Sequence, residues 1–340
     1  MPGHGIKQPG CPWPRPKTSC RLRSFILQAC LAVWVLALLI APAGAAPPAG
    51  KLLVAATIVP LGDFCQKIGG DLVQVQVLIP PGASPHAFEP PPSVMARASQ
   101  ARVFVYIGAG LEPWADKLLR SRGRDGLVVV EAAQGVPLLG MDEHHHDHEA
   151  PGTQGHTGKH AEKADAHQSH LAGNPHIWLD PVLAQEICRK IAAAFIQADP
   201  AHTTQYEANL KSYLAALEAL HQEIQQQARA WSLRDFVSFH PSFSYFARRY
   251  NLHEVGTIEA APGREPTPRH LKNLVTAIRG YGIKVVFAEP QLNPRVAEVI
   301  AQEAGVKVLR LDPIGGPPPY GSDYLKLMRY NLAALDEALR

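Results

Sequence analysis

The sequence predicts an α/β fold of two lobes, each built on a mostly parallel sheet, joined by one long rigid helix. Three observations carry this. Short apolar, β-branched runs alternate with longer amphipathic stretches, as βαβ units require. The runs fall into two groups of four, one before residue 135 and one after residue 235. Between the groups, roughly 30 residues carry apolar side chains at helical spacings of three and four. The 340-residue length suits two domains once a processed segment is subtracted.

The first segment is expected to be removed. It carries Lys7, Arg15, Lys17, Arg21 and Arg23 with no acidic residue, turns apolar from Phe25 to Ile40, and reaches the small residues Ala41-Pro42-Ala43-Gly44-Ala45-Ala46. A charged region, an apolar core and an A-x-A site read as a cleavable signal peptide over residues 1–45, with export of a chain starting near Ala46. An uncleaved anchor is the alternative, because the apolar run approaches a short membrane span. Lipid attachment at Cys30 does not fit, since Leu27-Gln28-Ala29-Cys30 stands at the front of that run and not after it. The segment holds 5 of the 33 basic residues and none of the 30 acidic ones, so the remainder is 28 against 30, a net of −2. The apparent basicity therefore belongs to targeting, and nothing in the balance calls for nucleic acid as a partner. Cys65 and Cys188 remain; neither lies in a CxxC motif, and they read as a pair or, more simply, as two small buried hydrophobes.

The N-terminal lobe is assigned to residues 46–199, with strands over Lys51–Val59, Val73–Ile79, Arg102–Ile107 and Leu127–Val130. Two helices follow, Pro181–Ala198 and a linking helix over 200–230, in which Tyr206, Leu210, Tyr213, Leu214, Leu217 and Leu220 form the apolar stripe and Asp199 is the candidate N-cap. Such a helix runs about 45 Å, long enough to span both lobes, and a rigid strut predicts small rocking on ligand capture in place of a wide hinge. The C-terminal lobe, 231–340, has strands over Phe236–Phe239, His253–Ile258, Lys284–Phe287 and Lys307–Leu311. Between the first lobe's strands and its helices lies Met141–Ala172, a low-complexity insert holding His144, His145, His146, His148, His156, His160, His167 and His170. Without an apolar face it is expected to be a mobile loop.

Open α/β sheets take ligands at the carboxyl ends of their strands. Three metal-binding side chains fall there: His86 after the turn-rich Pro80-Pro81-Gly82-Ala83-Ser84-Pro85, His240 before Pro241, and Asp312 before Pro313. A fourth, His176, lies in Asn174-Pro175-His176-Ile177-Trp178-Leu179-Asp180-Pro181. Three imidazoles and a carboxylate suit four-coordinate zinc, drawn two from each half of the chain. Each also has an ordinary alternative, a hydrogen-bonded or surface histidine, or for Asp312 a turn residue.

These strings, with His86-Ala87-Phe88-Glu89-Pro90, Glu265-Pro266-Thr267-Pro268 and Phe287-Ala288-Glu289-Pro290-Gln291, resemble the zinc and manganese solute-binding family of ABC importers, in order along essentially the whole mature chain. The resemblance implies two α/β lobes joined by one helix, a metal in the cleft between them, and His86, His176, His240 and Asp312 as its ligands. It implies a high-affinity zinc uptake receptor delivering its ion to an importer permease, working as a monomer in the periplasm; a cell-adhesion family shares the likeness. A third imidazole at His240, where manganese members usually have a carboxylate, favours Zn(II) over Mn(II), as does the histidine-rich insert. The C-terminal lobe lacks the cysteine pair of some zinc members. In parts of the zinc branch water takes the position of Asp312. Glu89 and Glu289 stand as further oxygen donors or partners of the ligands, a structural or salt-bridging role being equally compatible. The eight insert histidines offer weak donors that would concentrate zinc near the cleft; otherwise the insert is a solvated linker.

Two rival functions keep the same metal chemistry. A zinc hydrolase needs an open coordination position and a general base, but no HExxH, G-x-S-x-G or complete GxGxxG motif occurs. A periplasmic zinc buffer or chaperone would share every ligand and differ only in lacking a transporter.

Overall fold

Runs rich in valine, isoleucine and phenylalanine become strands because a branched or aromatic side chain packs well on a pleated surface covered from both sides. In the computed structural model, β1 (Leu52–Ala56), β2 (Val73–Val77), β3 (Val103–Tyr106) and β4 (Val128–Glu131) form one sheet in the order β2-β1-β3-β4. A second sheet, β5 (Asp235–Ser238), β6 (His253–Thr257), β7 (Val285–Ala288) and β8 (Lys307–Arg310), repeats that order as β6-β5-β7-β8. All pairings are parallel, and β3 and β7 are buried along their whole length. The structure describes residues 50–122, 126–140, 173–259 and 265–340. The expected signal segment 1–45 and the insert 141–172 with its eight histidines lie outside the described residues.

Helices cover both faces of each sheet. In the first half these are α1 (Val59–Gly69), α2 (Pro92–Ala98) and α3 (Pro113–Arg122), followed by α4 (Pro181–Ala198) and α5 (Thr203–Arg229). The second half contributes α6 (Ser244–Tyr250), α7 (Pro268–Gly280), α8 (Pro294–Ala304) and α9 (Tyr324–Leu339). Proline stands in the first turn of α1, α2, α4, α7 and α8, where its missing N–H is no loss. Asp180, Thr267, Asn293 and Asp323 cap α4, α7, α8 and α9 through their side-chain oxygens.

The linking helix begins later than its sequence suggests. Pro200–His202 form a 3-10 turn and α5 starts at Thr203, giving 27 residues and a length of about 40 Å. Asp199 therefore sits too far upstream to cap α5, and its carboxylate instead receives the Tyr206 hydroxyl at 2.8 Å and pairs with His202 Nδ1 at 2.7 Å. The buried stripe of α5 is Tyr206, Tyr213, Leu217, Leu220, Ile224 and Ala228, with Leu210 and Leu214 partly buried beside it.

That stripe does more than span a gap. α5 packs on α1 and α4 of the first half and on α6 and α9 of the second, and α9 reaches back to α1. One continuous core thus runs through both halves, from Phe64 and Trp178 to Phe236, Phe287 and Leu335, and Lys51–Arg340 form one compact unit. Each fully buried large side chain in it stabilises by about 1.5–3 kcal/mol. Smaller cores fill the far faces, where Phe104 clusters with Leu118 of α3 and Val286 with Ile278 of α7. Cys65 and Cys188 are buried free thiols in the shared core, and burial pushes both up in pKa. No helix among the described residues is long and apolar enough to cross a membrane.

Candidate metal centre

In each sheet the first strand lies between the second and third, so the chain leaves it toward opposite sides. This opens a crevice at the carboxyl ends. His240 stands two residues beyond β5 and Glu289 one beyond β7, the two strands flanking that point in the second sheet. His86 lies beyond β2 on a proline-rich loop held by short turns, Ala83 N–H donating to Pro80 O (3.1 Å) and Ala87 N–H to Ser84 O (3.3 Å). His176 immediately precedes the 3-10 turn Ile177–Leu179 that leads into α4.

The three imidazoles converge. His176 Nε2 lies 3.0 Å from His86 Nε2 and 3.1 Å from His240 Nε2, and one ring nitrogen from each residue falls within 4.8 Å of the others. Tetrahedral nitrogen ligands at about 2.05 Å from an ion stand about 3.3 Å apart, close to this spacing. The pocket they line with Ser84, Glu289, Gln291 and Ile314 has about 10 Å³ of free volume, the room of one water-sized sphere.

Two of the rings are oriented from behind. His176 Nδ1–H donates to Asn174 Oδ1 at 2.8 Å. That oxygen is identified because Asn174 Nδ2 donates to Pro241 O (2.6 Å) and Ser244 Oγ (3.2 Å). With its hydrogen on Nδ1, neutral His176 presents a lone pair at Nε2. His240 Nδ1–H donates to Glu289 Oε1 at 2.7 Å, and that carboxylate is itself 3% exposed. Asn174 thus ties the two histidine segments together. Its role was not read from the sequence, although the Asn-Pro-His spacing was the available signal.

Charge separates the rings. Burial, then the positive charge of His240, pulls His86 down to about 3. Burial likewise holds His176 well below the ordinary 6.5, with His240 and His86 adding to it. For His240 burial also pulls downward, but Glu289 by charge and hydrogen bond, with Glu254 and Glu259, outweighs it and the value is raised. Buried Glu254 accepts from Ser238 Oγ (2.5 Å) and Ser244 Oγ (2.9 Å), and burial pushes its carboxyl up to about 7.

Among the described residues, Asp312 and Glu89 stand apart from the three-nitrogen group. Asp312 is fully buried. Its Oδ1 accepts from Gln291 Nε2 (2.7 Å), Ile314 N (2.9 Å) and Gly315 N (2.9 Å), and its Oδ2 from the Tyr320 hydroxyl. Glu89 is exposed on the loop and is not among the pocket's lining residues. The eight insert histidines lie outside the described residues. Gln291, which joins Asp312 to the pocket, was part of a quoted string but had no role assigned to it. Three convergent nitrogens, two of them on rings whose Nδ1–H is tied back, can hold one borderline-soft divalent cation.

Comparison with known proteins follows the same outline. The high-affinity zinc uptake system protein ZnuA of Bacillus subtilis is 31% identical over 293 residues, 85% of this chain and 88% of that protein. A crystal structure of ZnuA superposes with a TM-score of 0.72 at 35% identity, covering 85% of this chain and all of the other. The laminin-binding protein Lmb of Streptococcus agalactiae, described as bifunctional with adhesin and metal-transporting activity, gives 0.70 at 30% identity, with 85% of this chain and 100% of its own covered. Residues 54–338 match the ZnuA family model. With that match over most of its length, the chain belongs to the ZnuA family, the periplasmic component A of the zinc-uptake complex.

Proposed function

We propose that this protein captures Zn(II) outside the cytoplasm and delivers it to the permease of an ABC importer. The observation that carries the reading is the convergence of His86, His176 and His240 with Nδ1 of the last two tied to Asn174 and Glu289. Three nitrogen donors suit zinc, whereas manganese prefers more oxygen, and the Bacillus subtilis relative is a zinc uptake protein. Asp312 is not put forward as a fourth ligand, because its carboxylate already serves four donors. The sequence has no HExxH or nucleophile-elbow motif beside the three nitrogens, which favours a receptor over a zinc hydrolase. The protein acts as a monomer, exported to the periplasm by removal of residues 1–45 and joined in sequence as lobe 46–199, linking segment 200–230 with α5 at its centre, and lobe 231–340.

Titrating residues 46–340 with zinc and with manganese, alongside His86→Ala, His176→Ala and His240→Ala, tests the ligand set. One tight zinc site, lost in each variant, is the expected result. Tight binding that survived all three substitutions would move the site to the histidine-rich insert. A buffer or chaperone role is separated by growth: deletion together with a neighbouring permease gene should abolish growth in zinc-poor medium, and no defect would argue against transport.

A further inference from the structure

His176 and His240 are each held through Nδ1, but among the described residues the hydrogen-bonded contact of His86 is to His176 Nε2 alone. The position of His86 therefore rests on its loop. At one end of the loop Phe88 packs edge-on against Trp114, ring centres 6.4 Å apart. At the other, Pro81 lies against the second half of the chain: a Cβ built on Gly316 would meet Pro81 Cβ at 2.6 Å, Cγ at 3.1 Å and Cα at 3.2 Å.

Gly316 is presented by the turn that Asp312 builds. Asp312 N–H donates to Asn331 Oδ1, and Asn331 Nδ2 donates back to Asp312 O, both at 2.8 Å. With the carboxylate accepting from Ile314 and Gly315, the chain turns sharply through Gly315 at φ 78° and Gly316 at φ 104°. The turn closes where Gly316 N–H donates to Gly321 O at 2.7 Å. A side chain at position 316 meets two obstacles, a backbone conformation L-residues rarely adopt and Pro81 itself.

We infer that Asp312 and Gly316 are positioning residues for metal binding: the Asp312-built turn offers Pro81 a side-chain-free seat, and that seat sets where His86 stands. This rests on the three-histidine reading above. Small displacements matter, because a site loses function once its ligands stray beyond roughly 0.5 Å from the required geometry.

The test is a zinc-affinity cycle on the mature protein. Gly316→Ala should weaken binding by roughly 10- to 100-fold, the range for loss of groups that orient metal ligands, and should not weaken further the residual two-histidine binding left in a His86→Ala background. Pro81→Gly, an exposed loop change that lets the chain fold, should behave the same way. Asp312→Asn keeps Oδ1 as acceptor and should retain most of the affinity that Asp312→Leu loses. Metal-free circular dichroism and melting confirm folding; should Gly316→Ala fail there, Pro81→Gly and the Asp312 pair decide. Wild-type affinity in Gly316→Ala or Pro81→Gly, or an equal loss with and without His86, would overturn the inference. So would an Asp312→Asn loss as large as that of Asp312→Leu, which would make the carboxylate a ligand. A wild-type protein that bound no zinc, or a His86→Ala protein that bound it normally, would overturn the three-histidine reading itself.

Discussion

Lowering the pH from about 7 to about 5 probes the three imidazoles separately, because the fold has set them apart in proton affinity. An ion at the site requires all three Nε2 lone pairs, so any proton bound there must leave. In the metal-free protein His86, pulled to about 3, and His176, held well below 6.5, are already neutral across that window. His240 is raised above 6.5 by Glu289 and is protonated through most of it. The sign follows: zinc affinity falls as pH drops below the folded value of His240, and only one proton competes. The dissociation constant should then rise about tenfold per pH unit, or about 1.4 kcal/mol, whereas three unperturbed histidines would approach a thousandfold. Competition titration against a chelator at about pH 5.5 to 6.5, with proton release measured calorimetrically in two buffers, reads both quantities. Release near three protons, or none, would refute the reasoning. Glu289→Gln removes the charge that holds the His240 proton, so release at about pH 6 should fall below one while affinity drops roughly 10- to 100-fold. An unchanged proton count in that variant would show that Glu289 does not hold the proton.

Three further outcomes are expected. Deleting Met141–Ala172 should leave one tight zinc site and remove weaker ones, read as stoichiometry; loss of the tight site would mean the ligands are misassigned. Because one core runs through both sheets, metal-free protein should melt in a single transition, and Leu220→Ala should lower its stability by about 2–5 kcal/mol without splitting that transition; two separable transitions would contradict the shared core. Asp180 caps α4 and receives Arg249 Nε at 2.9 and 3.1 Å from the second half. Asp180→Ala should therefore cost about 1–3 kcal/mol in denaturant unfolding, and an unchanged midpoint would count against that bridge.

Much of this molecule was legible from order along the chain. Valine-rich runs and helical stripes are local patterns, set by which face of a few residues is buried, so all eight strands fall within a few residues of their expected places. The likeness of the histidine-bearing strings to a known family was legible for the same reason. Where local reading failed, a neighbour one turn away decided the matter: Asp199 looked like a cap until the 3-10 turn at Pro200 moved the start of α5 beyond its reach.

The sequence by itself determined two parallel α/β sheets, a long helix between them, and histidines at strand ends. Only the tertiary structure decided that His86 meets His176, 90 residues away, and His240, a further 64. It also decided that Asn174 and Glu289 turn two of the rings, and that the Asp312 carboxylate accepts from Gln291, Ile314, Gly315 and Tyr320. It decided too that the two halves share a core in place of merely flanking a strut. The reason is the range of the forces involved: strand and helix preferences act over a few residues, whereas the direction of a lone pair depends on side chains that packing brings together from distant parts of the chain.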